Sequence, residues 1–244
     1  MNTIKGSPHG TNRKTATIVG VLFIIGTVAG ILSVVFAGSI LSDPNYLIKV
    51  SENQNQFVIG SLLVLTMGLA LAMVPVVIFP VLKKHNEVLA FGYVVFRGAL
   101  ETVTSIAMVI TWLFLLILSR EYVAAGVPDA SNFQTLGAVF LEGSDSISGI
   151  GGFVFSLGAL MLYYVFYQSK LIPRWISIWG FIAISLGLAT GVLVIFQLQS
   201  PSSTINTVMN LPILFQEMVM AVWLIVKGFN PSAIASASAK VDMN

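Results

Sequence analysis

The chain has 244 residues, 56% hydrophobic and 9% charged, with a formal net charge of +2. Soluble domains carry about 25% charged residues, so a water-soluble fold of this size is excluded, and the repeated apolar runs of membrane-crossing length point to helices. The small, dispersed positive charge excludes a nucleic-acid footprint, and the absence of cysteine excludes disulfides, thiolate nucleophiles and Cys-ligated metal sites.

The expected architecture is an all-α membrane protein, a bundle of six transmembrane helices. Residues 1–14 read as a polar tail. The run over 15–41 is too long for the apolar region of a cleaved signal peptide and reads as a span that stays. Within it, Gly26 and Gly30 form a GxxxG step that permits close helix approach. The second span, 57–82, carries Gly60, Gly68 and Ala72 on one ridge. Pro75 and Pro80 near its end are expected to kink or stop it. A basic turn with Lys83 and Lys84 leads into the third span, 90–118.

The connection that follows has Phe133, Leu136 and Phe140 at helical spacing behind Asp129 and Ser131. It predicts a short interfacial helix capped by one of those two residues. The fourth span, 146–167, follows Glu142 and Asp145, which read as helix caps rather than as oxygen ligands for a divalent cation. Ser144, Ser148, Gly152 and Ser156 make a small-residue ridge there. Pro173 opens the fifth span, 173–198, at a tolerated first-turn position, and Ala183, Gly187 and Gly191 line one ridge of it. The sixth span, 208–227, has a start blurred by Pro212. Residues 229–244, rich in Ala and Ser, read as a disordered tail. The membrane domain is thus expected over 15–228.

Basic residues set orientation. Lys5, Arg13, Lys14, Lys83, Lys84, Lys170, Arg174, Lys227 and Lys240 fall on one side, against Lys49 and Arg120 on the other. Nine against two puts both termini in the cytoplasm. Tyr163, Tyr164, Tyr167, Trp175, Trp179 and Trp223 gather at the same boundary, as an aromatic belt does.

The third span alone carries a cation and an anion at depth. Arg97 and Glu101 are four apart, so they share a helix face, which Thr104 and Met108 extend. Each charge costs about 2.5–3.5 kcal/mol to insert at mid-bilayer, comparable to what the surrounding apolar residues return, so the pair must face the bundle interior. Arg before Glu is the weaker order for such a pair. Arg97 therefore needs another partner, and Glu217 of the sixth span, on a stripe with Asn206 and Asn210, is the expected one. Arg97, Glu101, Glu217 and Asn210 form the predicted polar centre.

The Arg-x-x-x-Glu step in FRGALE, the Pro173-Arg174-Trp175 opening of the fifth span, and Glu217 followed by Trp223 and Lys227-Gly228 occur in a telling order. In these the chain resembles a family of bacterial six-span membrane proteins, domain-of-unknown-function family 4386. The resemblance covers about 15–228. It implies a six-helix bundle in the bacterial inner membrane and no particular activity. Where the family pattern has PRWLG, this chain has PRWIS, one small residue fewer.

Two readings of the polar centre follow. It is an interhelical lock, the reading preferred here, or it is a site where a small solute, a lipid or a proton engages, as in a small-solute or proton-coupled transporter. An intramembrane enzyme using carboxylates is the distant alternative; no Ser–His pair, Asp dyad or metal-ligand set lies in a span, and His9 and His85 lie outside the apolar runs. No enzyme activity, cofactor or metal is therefore expected. The small-residue ridges read as packing seams within the bundle, with a homo-oligomer contact as the lesser reading; the expected partners are the bilayer, a small molecule left unspecified, and either a second copy or another membrane protein.

Overall fold

The computed structural model describes residues 8–125 and 130–241; the expectations resting on Asp129 and on residues 1–7 fall outside them. The helices are α1 (Pro8–Ser33), α2 (Ser39–Leu41), α3 (Tyr46–Glu52), α4 (Gln54–Leu82), α5 (Glu87–Tyr93), α6 (Glu101–Ala125), α7 (Ala130–Ser169), α8 (Arg174–Ile195), α9 (Thr204–Val226) and α10 (Pro231–Val241). π-Helical segments, Val34–Gly38 and Val94–Leu100, join α1 to α2 and α5 to α6. No strand occurs among the described residues. Six helical stretches are long and apolar enough to cross a membrane: Asn12–Leu41, Gln54–Leu82, Glu87–Ala125, Ser131–Ser169, Arg174–Ile195 and Thr204–Val226.

These six close into a ring. α1 packs on α4, α4 on α6, α6 on α7, α7 on α8, α8 on α9, and α9 returns to α1. Their outer faces are apolar: Ile18, Val21, Ile25 and Val28 of α1 and Val103, Ile106, Ile110 and Phe114 of α6 are all exposed. A water-soluble protein would present polar groups there. Here backbone polarity is satisfied inside each helix and the side chains are left to lipid.

Since lipid is as apolar as leucine, helices associate through close packing, which small residues permit. A Cβ on Gly20 would lie 2.6 Å from the Ala221 carbonyl oxygen of α9, and one on Gly60 would lie 2.7 Å from the Ala37 Cβ. At the α7–α8 seam, a Cβ on Gly191 would meet the Phe153 nitrogen at 3.3 Å. Gly20→Val is expected to push α1 off α9 and open the ring at its closing contact. The cost of such overpacking is about 1–3 kcal/mol, measurable as a lower thermal midpoint in detergent; an unchanged midpoint would mean that the α1–α9 seam is slack.

Several local expectations need correction. No separate interfacial helix precedes the fourth span, because α7 runs unbroken over 40 residues. Nothing in 130–169 breaks it, since the segment has no proline. Its early turns are held by tertiary contacts instead: Phe133 meets Tyr122 and Phe140 meets Phe114, with ring centroids 6.2 and 6.0 Å apart. Glu142 and Asp145 therefore sit inside a helix and cap nothing. Pro75 and Pro80 lie within α4, which ends at Leu82, two residues beyond the second of them. α9 begins at Thr204, ahead of Pro212, with the Ser203 side chain accepting from the Asn206 amide. The tail expected to be disordered forms α10. Asn230 Oδ1 accepts from the Ser232 amide and hydroxyl, Pro231 occupies the first helical position, and Phe229 and Ala233 are buried. At the other terminus α1 starts at Pro8, and the Arg13 guanidinium donates to the carbonyls of Leu224, Ile225 and Val226 at the end of α9. A cation there complements the helix dipole.

Candidate functional site

Arg97 sits in the π-helical segment of the third span. The Glu101 amide donates to the Phe96 carbonyl, five residues back, and the extra residue in that turn re-aims the side chains on either side of it. Glycines let neighbouring backbones come close: a Cβ on Gly158 of α7 would meet the Arg97 nitrogen at 3.1 Å, and one on Gly98 would meet Pro75 at 3.3 Å. Arg97 is 3% exposed.

Both Nη groups of the guanidinium are engaged. Nη1 donates to both Glu101 carboxylate oxygens at 2.9 Å, and Nη2 donates to Glu217 Oε1 at 3.3 Å. Phe155 of α7 covers its face, with Cζ 4.4 Å from the ring centroid. One cation thus ties α6, α7 and α9 together. Among the described residues, Glu217 Oε2 has no hydrogen-bond partner, although it is not sealed from space around it. With both carboxylates ionised, the triad carries one excess negative charge.

Gln216 points away from this centre. It is fully buried, accepts from the Tyr163 hydroxyl at 2.7 Å and donates to the Ile176 carbonyl at 3.0 Å. It is a second, uncharged tie between α7, α8 and α9.

A cavity of about 580 Å³ occupies the ring's lumen and ends on the triad. All six membrane helices line it. Thr104, Met108 and Trp112 continue the Glu101 face, and Asn206, Asn210 and Glu217 form one stripe along α9. Asn210 Nδ2 donates to Thr190 Oγ1 at 3.1 Å and to the Asn206 carbonyl at 2.8 Å. Pro201 marks the cavity's far end, near the α8–α9 loop. Toward the opposite end, beyond Arg97, the buried side chains of Tyr93, Tyr163, Ile78, Met220 and Leu224 belong to one packed cluster. The lumen is therefore one-sided. The small-residue ridges have a double use: Gly26, Gly30, Ser148, Gly152, Gly187 and Gly191 all line the cavity, so the residues that bring helices close also leave the lumen open.

A family model described as Domain of unknown function (DUF4386) matches residues 18–228. The chain belongs to that family. No curated protein and no solved structure matches it. In this DUF4386 protein the three residues predicted as a polar centre meet directly, and Asn210 lines the same lumen about two turns along α9. Sequence reasoning passed over Phe155, Gly158 and Trp112. Phe155 and Gly158 are three apart on α7, a spacing that puts a ring and a gap side by side, but nothing local says that a guanidinium fills it. Asp145, read as a cap, instead approaches Ser200, whose hydroxyl lies 3.4 Å from Oδ2. Among the described residues no cluster of His, Asp and Glu suits a metal ion.

Proposed function

We propose that this multi-pass membrane protein binds a small, largely apolar solute bearing a single positive charge. The solute lodges in the lumen and its cation settles against Glu217 and Glu101. The protein resides in the bacterial inner membrane with both termini cytoplasmic, so the solute enters from the external side. Arg97 holds the helices and both carboxylates in place, so the lock and the binding site are one construction.

The observation that carries this reading is the lumen ending on two carboxylates around one guanidinium. Its volume falls within the range of about 300–1,000 Å³ common for ligand sites, and its mostly apolar wall with few polar groups is what such sites use. Trp112, about 16 Å along α6 from Glu101, supplies an aromatic face for the apolar part of the solute. A purely structural lock has no need of a cavity reaching it. Orientation rests on the basic-residue asymmetry and the aromatic belt, and the bacterial assignment on the family resemblance.

The test uses two probes of nearly equal shape and opposite sign. Detergent-purified protein is expected to bind tetraphenylphosphonium and to exclude tetraphenylborate in equilibrium dialysis. Because the chain lacks cysteine, Ser148→Cys introduces a unique thiol on the lumen wall. Its labelling by an aqueous maleimide should slow in the presence of tetraphenylphosphonium. Equal binding of both probes would sink the charge assignment, and failure of any maleimide to label the Ser148→Cys variant would sink the open lumen.

A further inference from the structure

A second cavity lies at the basic end of the bundle, and none of its lining residues lines the lumen. Lys170, Arg174 and Lys227 line a cavity of about 470 Å³ together with Trp223, Gly228 and Asn230. No acidic residue lines it. The ion pairs among the described residues join Lys49 to Glu52 and Arg97 to Glu101 and Glu217, so none of these three cations is neutralised in that way.

The cavity is framed by fixed chain corners. Lys170 and Gly228 both adopt positive φ, 58° and 76°. The Asn230 amide donates to the Leu171 carbonyl at 2.9 Å, pinning the two corners together. Arg174 donates through Nε to the Tyr167 carbonyl at 3.3 Å and lies over the Tyr167 ring, Cζ at 4.9 Å from its centroid. Those contacts hold the guanidinium plane and leave its two Nη groups without a partner among the described residues.

Trp223 and Lys227 are shared with an apolar groove of about 440 Å³ on the outer face of α8 and α9. Phe215, Val222, Val226 and Trp175 line that groove, and each is more than half exposed. A cationic recess at the membrane boundary thus runs into an apolar channel descending into the bilayer. The Trp223 ring lies where the two meet, the position aromatic belts occupy.

We infer that this composite groove holds one anionic phospholipid, its phosphate-bearing headgroup among Lys170, Arg174 and Lys227 and an acyl chain along α8 and α9. Charge complementarity selects an anionic headgroup. The contiguous apolar channel selects a lipid over a soluble phosphate, because a free anion would leave that channel unused. Basic recesses between membrane helices at this depth are a recurrent form of headgroup recognition.

Lipid retention in native mass spectrometry tests it. The full chain is exchanged from detergent into phosphatidylglycerol or phosphatidylcholine with identical acyl chains. Wild-type protein is expected to retain phosphatidylglycerol at least about tenfold better, with each lysine worth roughly fivefold. Lys170→Gln with Lys227→Gln should cut the preference to what Arg174 alone supplies, roughly fivefold or less, while leaving phosphatidylcholine retention unchanged. Val222→Trp, which fills the channel without touching the charges, should weaken retention of both lipids. Millimolar inorganic phosphate should displace neither. Headgroup-blind retention by the wild type, an undiminished preference in the double variant, or displacement by inorganic phosphate overturns the assignment; the last outcome would make the recess a soluble-anion site.

Discussion

Arg97→Gln is expected to lower stability by about 3–5 kcal/mol, the range for removing one partner of a buried ion pair. The variant leaves Glu101 and Glu217 facing each other without a cation and leaves Phe155 without the guanidinium that covers it. Both losses act at the point where α6, α7 and α9 meet, so the helices should separate there first. Fluorescence-detected thermal unfolding in detergent reads the effect as a large drop in midpoint, accompanied by reduced yield from the membrane. Arg97→Lys should recover only part of it. An ammonium retains the charge but cannot reach two carboxylates with a planar fork or stack on an aromatic ring. A melting point near wild type for Arg97→Gln would mean that the triad does not hold the ring together.

Glu217→Gln separates holding from binding. The amide oxygen can still accept from Arg97 Nη2, a contact that is already long at 3.3 Å, and Glu101 still neutralises the guanidinium. Stability should therefore fall far less than in Arg97→Gln. The excess negative charge of the lumen disappears, however, and tetraphenylphosphonium binding should fall by at least tenfold, about 1.4 kcal/mol. If binding and thermal midpoint instead decline in proportion, the carboxylate is a structural member of the lock and the ligand reading fails. Retention of full binding affinity with a neutral lumen would show that the cation is held elsewhere.

Arg97, Glu101 and Glu217 were legible because their signal is a transfer energy. A charge at mid-membrane is expensive wherever it falls, so an ionisable residue inside an apolar run identifies itself. The shared face of Arg97 and Glu101 follows from helical period. The equal depth of Arg97 and Glu217 follows from each being ten residues from a basic or acidic marker at the same end, Glu87 and Lys227, or ~15 Å at 1.5 Å per residue. Gln216 was not separable from Glu217 in this way. Its neighbours Tyr163 and Ile176 come from other helices, and the side it faces depends on the rotation of α9 within the ring.

Helix ends were less legible than spans. The unbroken α7 owes its early turns to Tyr122 and Phe114 of α6, and α10 has its first buried residues through packing onto the bundle. Propensity and composition describe a segment by itself, whereas these segments are ordered by what lies beside them.

The sequence by itself determined that this is a six-helix membrane protein whose costly ionisable residues are Arg97, Glu101 and Glu217, because hydropathy, charge cost and helical period are properties of one chain segment at a time. Only the tertiary structure decided that the six helices close into a ring, that the π-helical turn aims Arg97 at its partners, and that small residues from several helices leave a one-sided lumen ending there. A cavity is a property of surfaces that do not meet. No single segment encodes it, because its volume depends on how closely six neighbours approach one another.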